Sequence, residues 1–432
     1  MKKILIMLFV LMLSLALVAC GNADKNNGEE TKIQQTDSEQ TGSEAPDNEP
    51  EKKVSALPEG IKPEDYAKFV QFELPENFRQ AAVDYMKKMA SLEWTPAVDY
   101  SFGLNRENWK YTFELKAGTT YTGLPYSSGN RAYDEFIKNI EENGGKFRDT
   151  TPLDEMQETG NNMKTWGVEC NSSTNAAIQQ FSPIARNVAR QYMPSFTDEF
   201  IGVVLGDIKV TPGLRKTELI VKENSAETLY EAYSQLKLGD IIMQKNEDSG
   251  LCHVRMISVE PEVIRNGTGK INPSRSYVKC VEQTDAFDDS RKKDGILSTW
   301  RVDKQYSFTD LYTKNYLPIT LEVYETNISV IPYLALDDVP SASALAKGML
   351  SGNITSDYPI QYCYIELYNK AGEMVSRVAQ HERNGVMKLA LRNHSFALFK
   401  DDVKAGEYTL VIEAGLNCGS AELCRVDFTY NG

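Results

Sequence analysis

Two stretches decide the fold: Leu236-Lys237-Leu238-Gly239-Asp240-Ile241-Ile242-Met243-Gln244, then Leu251-Cys252-His253-Val254-Arg255-Met256-Ile257-Ser258-Val259. The first is an apolar run behind a Gly-Asp turn, which reads as a short strand. The second alternates with period two from Cys252 to Val259, and the same period returns from Tyr277 to Thr284. A polar stretch with Asn266-Gly267 and Gly269 joins those two runs as antiparallel neighbours.

Working outward, the residues before these strands read as helices. From Pro75 to about Leu92 apolar residues recur at three- and four-residue spacing (Phe78, Ala81, Ala82, Tyr85, Met86, Met89), with Pro96 limiting the helix. Asn130 to Glu142 repeats the pattern through Tyr133, Phe136, Ile137 and Ile140, and Asn143-Gly144-Gly145 is its stop. A third helix opens near Cys170 and runs toward Pro183. Helices followed by antiparallel strands predict an α+β class. After about Pro318, strand-like runs at Thr320–Tyr324, Gln361–Tyr368, Val386–Leu391, Tyr408–Glu413 and Cys424–Tyr430 alternate with turns, which predicts a β-sandwich.

The N-terminus has its own signature. Lys2 and Lys3 precede an apolar run, Ile4 to Val18, that is too short for a comfortable membrane span and suits a signal peptide. It ends in Leu17-Val18-Ala19-Cys20, which resembles the lipobox of bacterial lipoproteins. That resemblance implies cleavage before Cys20, lipidation of its thiol and a membrane-anchored, extracytoplasmic protein. Gly21 to about Pro50 is polar, acidic and nearly free of aromatics, so it reads as a solvated tether. About 36 tether residues span roughly 35 Å on average and about 120 Å when taut. The expected layout is therefore signal peptide 1–19, tether 20–56, a folded α+β region 57–318 and a sandwich 319–432. A net charge of −14 and a pI near 5.0 argue against nucleic-acid binding, which needs a basic footprint.

The candidate chemistry lies in a rare histidine and a placed cysteine. Only three histidines occur, His253, His381 and His394, and His253 lies in an alternating strand. Cys170 opens a helix, where the dipole lowers a thiol pKa, and a nearby imidazole would act as its base. A third polar group would hold the ring tautomer. Each residue has a plainer reading: Cys170 as a buried structural thiol, His253 as a satisfied strand residue, Glu282 as a solvated strand end, Tyr126 as a packing aromatic. His381 and His394 are expected to be exposed, and Trp94, Trp166 and Trp300 to lie in the core. No metal-ligand spacing is present, so neither metal nor cofactor is expected. Cys418 and Cys424 are candidates for a disulfide, whose pairing a sequence does not fix.

Three segments in order resemble the papain-like cell-wall cysteine peptidases and amidases of the NlpC and CHAP type. Tyr121-Thr122-Gly123-Leu124-Pro125-Tyr126 looks like their Tyr-x-Gly-x-Pro-Tyr segment. Glu169-Cys170-Asn171-Ser172-Ser173 falls where they carry Asp-Cys-Ser-Gly or Asp-Cys-Ser-Ser, and Leu236 to Asp240 followed by Gly250 to Val254 looks like their Leu-x-x-Gly-Asp and Gly-His-Val block. The match spans about Tyr121 to Thr284. It departs from the pattern at Asn171, at the inserted Leu251-Cys252 and in the long gap from Tyr126 to Cys170.

The resemblance implies a papain-like domain followed by an Ig-like sandwich. It implies Cys170 as nucleophile, His253 as base, an oxyanion donor in the Cys170 N–H, and Tyr126 beside the site. The orienting group would come from the next strand, as Glu282 by analogy with CHAP-type enzymes or as Gln283; strand neighbours face opposite ways, so only one can reach His253. If Glu282 faces the site, Cys280 does too and Cys252 points away, so those two thiols would not pair. The implied substrate is a peptidoglycan amide bond. The competing expectation is an inactive lipoprotein that binds cell wall or a protein partner.

Overall fold

The structure is a computed structural model that describes residues 54–55, 59–105, 109–151, 156–158, 165–185, 189–246, 251–400 and 402–432. The signal peptide, Cys20, the tether up to residue 53 and Gly250 lie outside the described residues. The class is α+β. Among the described residues, no helix is long and apolar enough to cross a membrane.

The first sheet has six strands in the order Trp300–Ser307, Tyr277–Gln283, Leu251–Glu262, Ile241–Asn246, Leu317–Leu321, Gly202–Val204, all antiparallel. The helices Phe78–Ser91 and Cys170–Ile178 pack together against it. The first is capped by Asn77, whose side chain accepts from the Gln80 N–H at 3.1 Å, and it buries Ala82, Val83, Met86, Met89 and Ala90. The Cys170 helix is buried along its whole length, as befits an element between other layers. The helix expected from Asn130 begins at Tyr133, because Asn130 itself sits in the left-handed region at φ 54°.

The Gly-Asp turn before the Ile241 strand has a steric origin. Gly239 has φ 79°, and an added Cβ would lie 3.0 Å from the Arg79 carbonyl oxygen and the Tyr324 hydroxyl. Asp240 closes the turn by accepting from the Lys237 N–H at 2.7 Å and pairs with Arg79 at 2.6 Å. One short motif thus ties the sheet to the first helix.

An aromatic layer was missed in the sequence. Tyr100–Asn105 and Lys110–Leu115 pair antiparallel, where helices were expected to dominate before residue 240. The signal was present in the alternation of Tyr100, Phe102 and Leu104, all buried.

The second sheet also has six strands. Gly419–Tyr430, Gly406–Leu416, Asn353–Asn369, Tyr333–Leu336 and Lys68–Gln71 follow one another, and Met374–Ala390 pairs with Asn353–Asn369. These strands form one hydrogen-bonded sheet around their own apolar cluster. The expected boundary at 318/319 cuts the Leu317–Leu321 strand, which pairs with Ile241–Asn246 and Gly202–Val204 and so belongs to the first sheet. Conversely, Lys68–Gln71 joins the second sheet. Thr320–Tyr324 is not one strand either, since a helix starts at Glu322. Cys418 and Cys424 are free thiols, as are Cys252 and Cys280.

His381 is not exposed. Its Nε2 donates to the Gly129 carbonyl at 2.9 Å, and its Nδ1 lies 3.2 Å from Glu135 on the Tyr133–Glu142 helix. Arg377 and Glu142, 2.7 Å apart, and Lys138 with Glu413 extend this row of ion pairs between that helix and the second sheet. His394 is half-buried.

Asp357 supplies a stability test. It is half-buried, and burial pushes its carboxyl up to about 6 despite the Tyr333 N–H bond. Its folded pKa exceeds the unfolded value, so ionisation costs stability as pH rises from about 4 to about 6. Asp357→Asn should therefore raise the Tm by about 2 °C at pH 7.5, reflecting roughly 1 kcal/mol after solvent screening. The gain should vanish at pH 4. A gain independent of pH in thermal unfolding would refute this.

Candidate functional site

The site is built on the strands Leu251–Glu262 and Tyr277–Gln283. Ile257 faces Cys280 and Met256 faces Val281, so His253, Arg255, Cys280 and Glu282 share one face. Glu282 is the centre. One carboxylate oxygen, Oε2, meets His253 Nε2 and also accepts from Arg255 Nε at 2.7 Å, and the other accepts from the Tyr306 hydroxyl. The Arg255 guanidinium lies over the Tyr306 ring at 3.8 Å and the Tyr316 ring at 4.6 Å. The side chains of Arg255 and Glu282 are 3% and 1% exposed, whereas His253 keeps 12%. The imidazole is thus the edge of the cluster nearest solvent.

Burial raises the Glu282 pKa, but the Arg255 charge and the bonds from His253 and Tyr306 outweigh it. The carboxyl is held well below its ordinary range. Nε2 is engaged by the carboxylate, so Nδ1 is the ring nitrogen turned away from Glu282.

Gln283 turns the other way. Its Nε2 donates to the Leu124 carbonyl at 2.7 Å, and its cross-strand partner Trp300 donates to the same oxygen at 2.9 Å. Of the two orienters left open by the sequence, Glu282 is the one bonded to His253.

Tyr126 and Cys170 belong to the Gln283 side. The Leu124–Tyr126 segment is fastened beside the helix start, where the Val168 N–H donates to the Pro125 carbonyl at 3.0 Å. Tyr126 is buried, edge-on to Tyr111 at 5.3 Å, and burial pushes its hydroxyl well up, with Glu169 adding to the effect. Cys170 follows Glu169, whose N–H donates to Ser172 Oγ at 2.8 Å and so fixes the first turn. The Cys252 thiol faces this side: burial pushes it up to about 12, and Glu169 is among the groups it senses. Alternation along the strand therefore puts Cys252 on the face toward the Cys170 helix and His253 on the face with Glu282. Cys170 itself is buried. The five other described cysteines are free thiols.

Arg255 and Tyr306 were not identified from the sequence. Arg255 could have been, because it lies two residues after His253 on the same strand face. Tyr306 was hidden because the strand Trp300–Ser307 carries an irregularity at Asp303, with φ 53°, that breaks the alternation. Among the described residues, no group of three or more His, Cys, Asp or Glu is arranged to hold a metal ion.

Comparison with known proteins matches no family model and no curated relative. Among solved structures, the crystal structure of dimeric latent PorU from Porphyromonas gingivalis is similar at 11% identity, with a TM-score of 0.16. The match covers 44% of this chain and 23% of that one.

Removing one partner of the buried pair should be costly. Arg255→Met strands the Glu282 carboxylate and should lose about 3–5 kcal/mol in urea unfolding. Adding Glu282→Gln should recover part of that loss. In the wild type, the stability from Glu282 is complete above its ordinary value of 4.5 and falls as the medium is acidified. A loss below about 1 kcal/mol in Arg255→Met would refute a buried, ionised pair.

Proposed function

We propose that this protein is an extracytoplasmic lipoprotein, anchored through Cys20, that hydrolyses peptidoglycan amide bonds by thiol chemistry. In this reading the first sheet with its helices is a papain-like domain of the NlpC or CHAP kind, and the second sheet is an Ig-like module. The observation that carries it is the Glu282 carboxylate on His253 Nε2, the base-and-orienter half of a Cys-His-Glu site.

The Cys170 sulfur attacks the scissile carbonyl while His253 Nδ1 takes the thiol proton. That proton passes to the leaving amine as the thioester forms. Water then attacks the thioester, giving the acid and restoring the thiol. Glu282 stabilises the imidazolium, and the Cys170 N–H donates to the oxyanion. Turnover requires the Cys170 sulfur to approach the Nδ1 edge, because alternation along the strand puts His253 on the face opposite the Cys170 helix.

A second reading rests on the separation of Cys170 from the His253 face. There the domain is an inactive lipoprotein that binds cell wall or a protein partner.

Digestion of muropeptides by the purified ectodomain separates the two. The hydrolase should act on them and lose all activity in Cys170→Ala. Glu282→Gln should lose about 10²-fold or more, and Tyr126→Phe should stay near wild type. Cys170 should also react with iodoacetamide faster at pH 6 than an ordinary thiol does. Equal product patterns from wild type and Cys170→Ala would sink the hydrolase and leave the binding protein.

A further inference from the structure

An open groove on the second sheet, remote in sequence from the thiol and imidazole, has the composition of a ligand surface. Its volume is roughly 860 Å³, within the range of about 300–1,000 Å³ usual for small-ligand sites. Three neighbouring strands build its floor. Tyr368 lies opposite Thr409, and Thr409 opposite Asp427, so the three form one row on one face. Arg425 stands two residues before Asp427 on the same face, and Lys370 and Glu407 close one end.

The chemistry of that row selects a ligand class. Lys370 and Arg425 are matched by Glu407 and Asp427, so these four ions sum to no net charge. Such a surface offers a phosphate or polyanion no excess of cation. Its donors and acceptors alternate at short range: Lys370 sits 2.7 Å from Glu407, and Thr409 donates to one Asp427 oxygen at 2.6 Å, leaving the second. Hydroxyl groups both donate and accept, and so fit alternating sites of this kind. The half-buried ring of Tyr368, braced by its hydroxyl bond to Glu366 at 2.6 Å, adds an apolar platform. The pairs are surface pairs, worth little to stability, and can be exchanged for ligand hydroxyls at small cost.

We propose that this groove binds a neutral saccharide chain, with the sugar's C–H face on Tyr368 and its hydroxyls on Asp427, Arg425 and Lys370. The surface needs neither Cys170 nor His253, so it stands apart from the hydrolase reading.

Isothermal titration of the ectodomain with N-acetylchitotetraose, maltohexaose and inorganic polyphosphate tests it. At least one neutral oligosaccharide should bind. Tyr368→Ala and the exposed Asp427→Ala should each weaken it roughly fivefold or more, while Cys170→Ala leaves it unchanged. Circular dichroism of each variant confirms that the fold is retained, and Asp427→Ala carries the test should Tyr368→Ala unfold. Failure of both oligosaccharides to bind overturns the proposal. So does preferential binding of polyphosphate, or saccharide binding undiminished in the folded groove variants.

Discussion

The Leu124 carbonyl accepts from two side chains, Gln283 at 2.7 Å and Trp300 at 2.9 Å, and these are partners across neighbouring strands. Its own N–H donates to the Met89 carbonyl at the end of the first helix. One peptide thus joins helix, connecting segment and sheet. It also sets parity: with Gln283 held toward Leu124, Glu282 must face the opposite way, because a strand offers no third direction. A slip of one residue would bury a carboxamide where Arg255 needs a carboxylate and send Glu282 into the apolar helix side, an expensive exchange.

The Glu282 side is polar because its charges come as a set. Desolvating Arg255 or Glu282 alone costs several kcal/mol, and their attraction offsets that only when the remaining polar atoms are also engaged. Tyr306 supplies the second carboxylate oxygen with a donor, and the two tyrosine rings cover the guanidinium. The opposite face needs none of this. Met243, Val254, Met256, Val281 and Leu317 there meet the helices as ordinary apolar packing. Strand alternation in one sheet thereby separates a hydrophobic core from a buried ion cluster.

What the sequence disclosed follows from where its signals are local. The helices starting at Phe78 and Tyr133, the Gly239-Asp240 turn and the strands after it rest on periodicity and turn chemistry, both readable within a dozen residues. The strand Leu317–Leu321 was drawn into the wrong half because its membership depends on hydrogen bonds to residues over 70 positions away, which no local pattern records. His381 was taken for a surface residue for the same reason. Its burial comes from Glu135 and Gly129, distant in the chain. The pairing of Glu282 with His253 was half legible: alternation said that only one of Glu282 and Gln283 could reach the ring, and the contact to Leu124 decides between them.

His253 is the member of the cluster that the fold does not require. Glu282 already has a counter-ion in Arg255 and a second donor in Tyr306, so its carboxylate is satisfied without an imidazole. The imidazole is a third partner, placed at the cluster's most accessible edge. A carboxylate kept ionised by an arginine is a constant negative partner that holds the ring in one tautomer and orientation. The functional question therefore falls on Cys170, whose sulfur would have to reach the other side of the strand before His253 had anything to deprotonate.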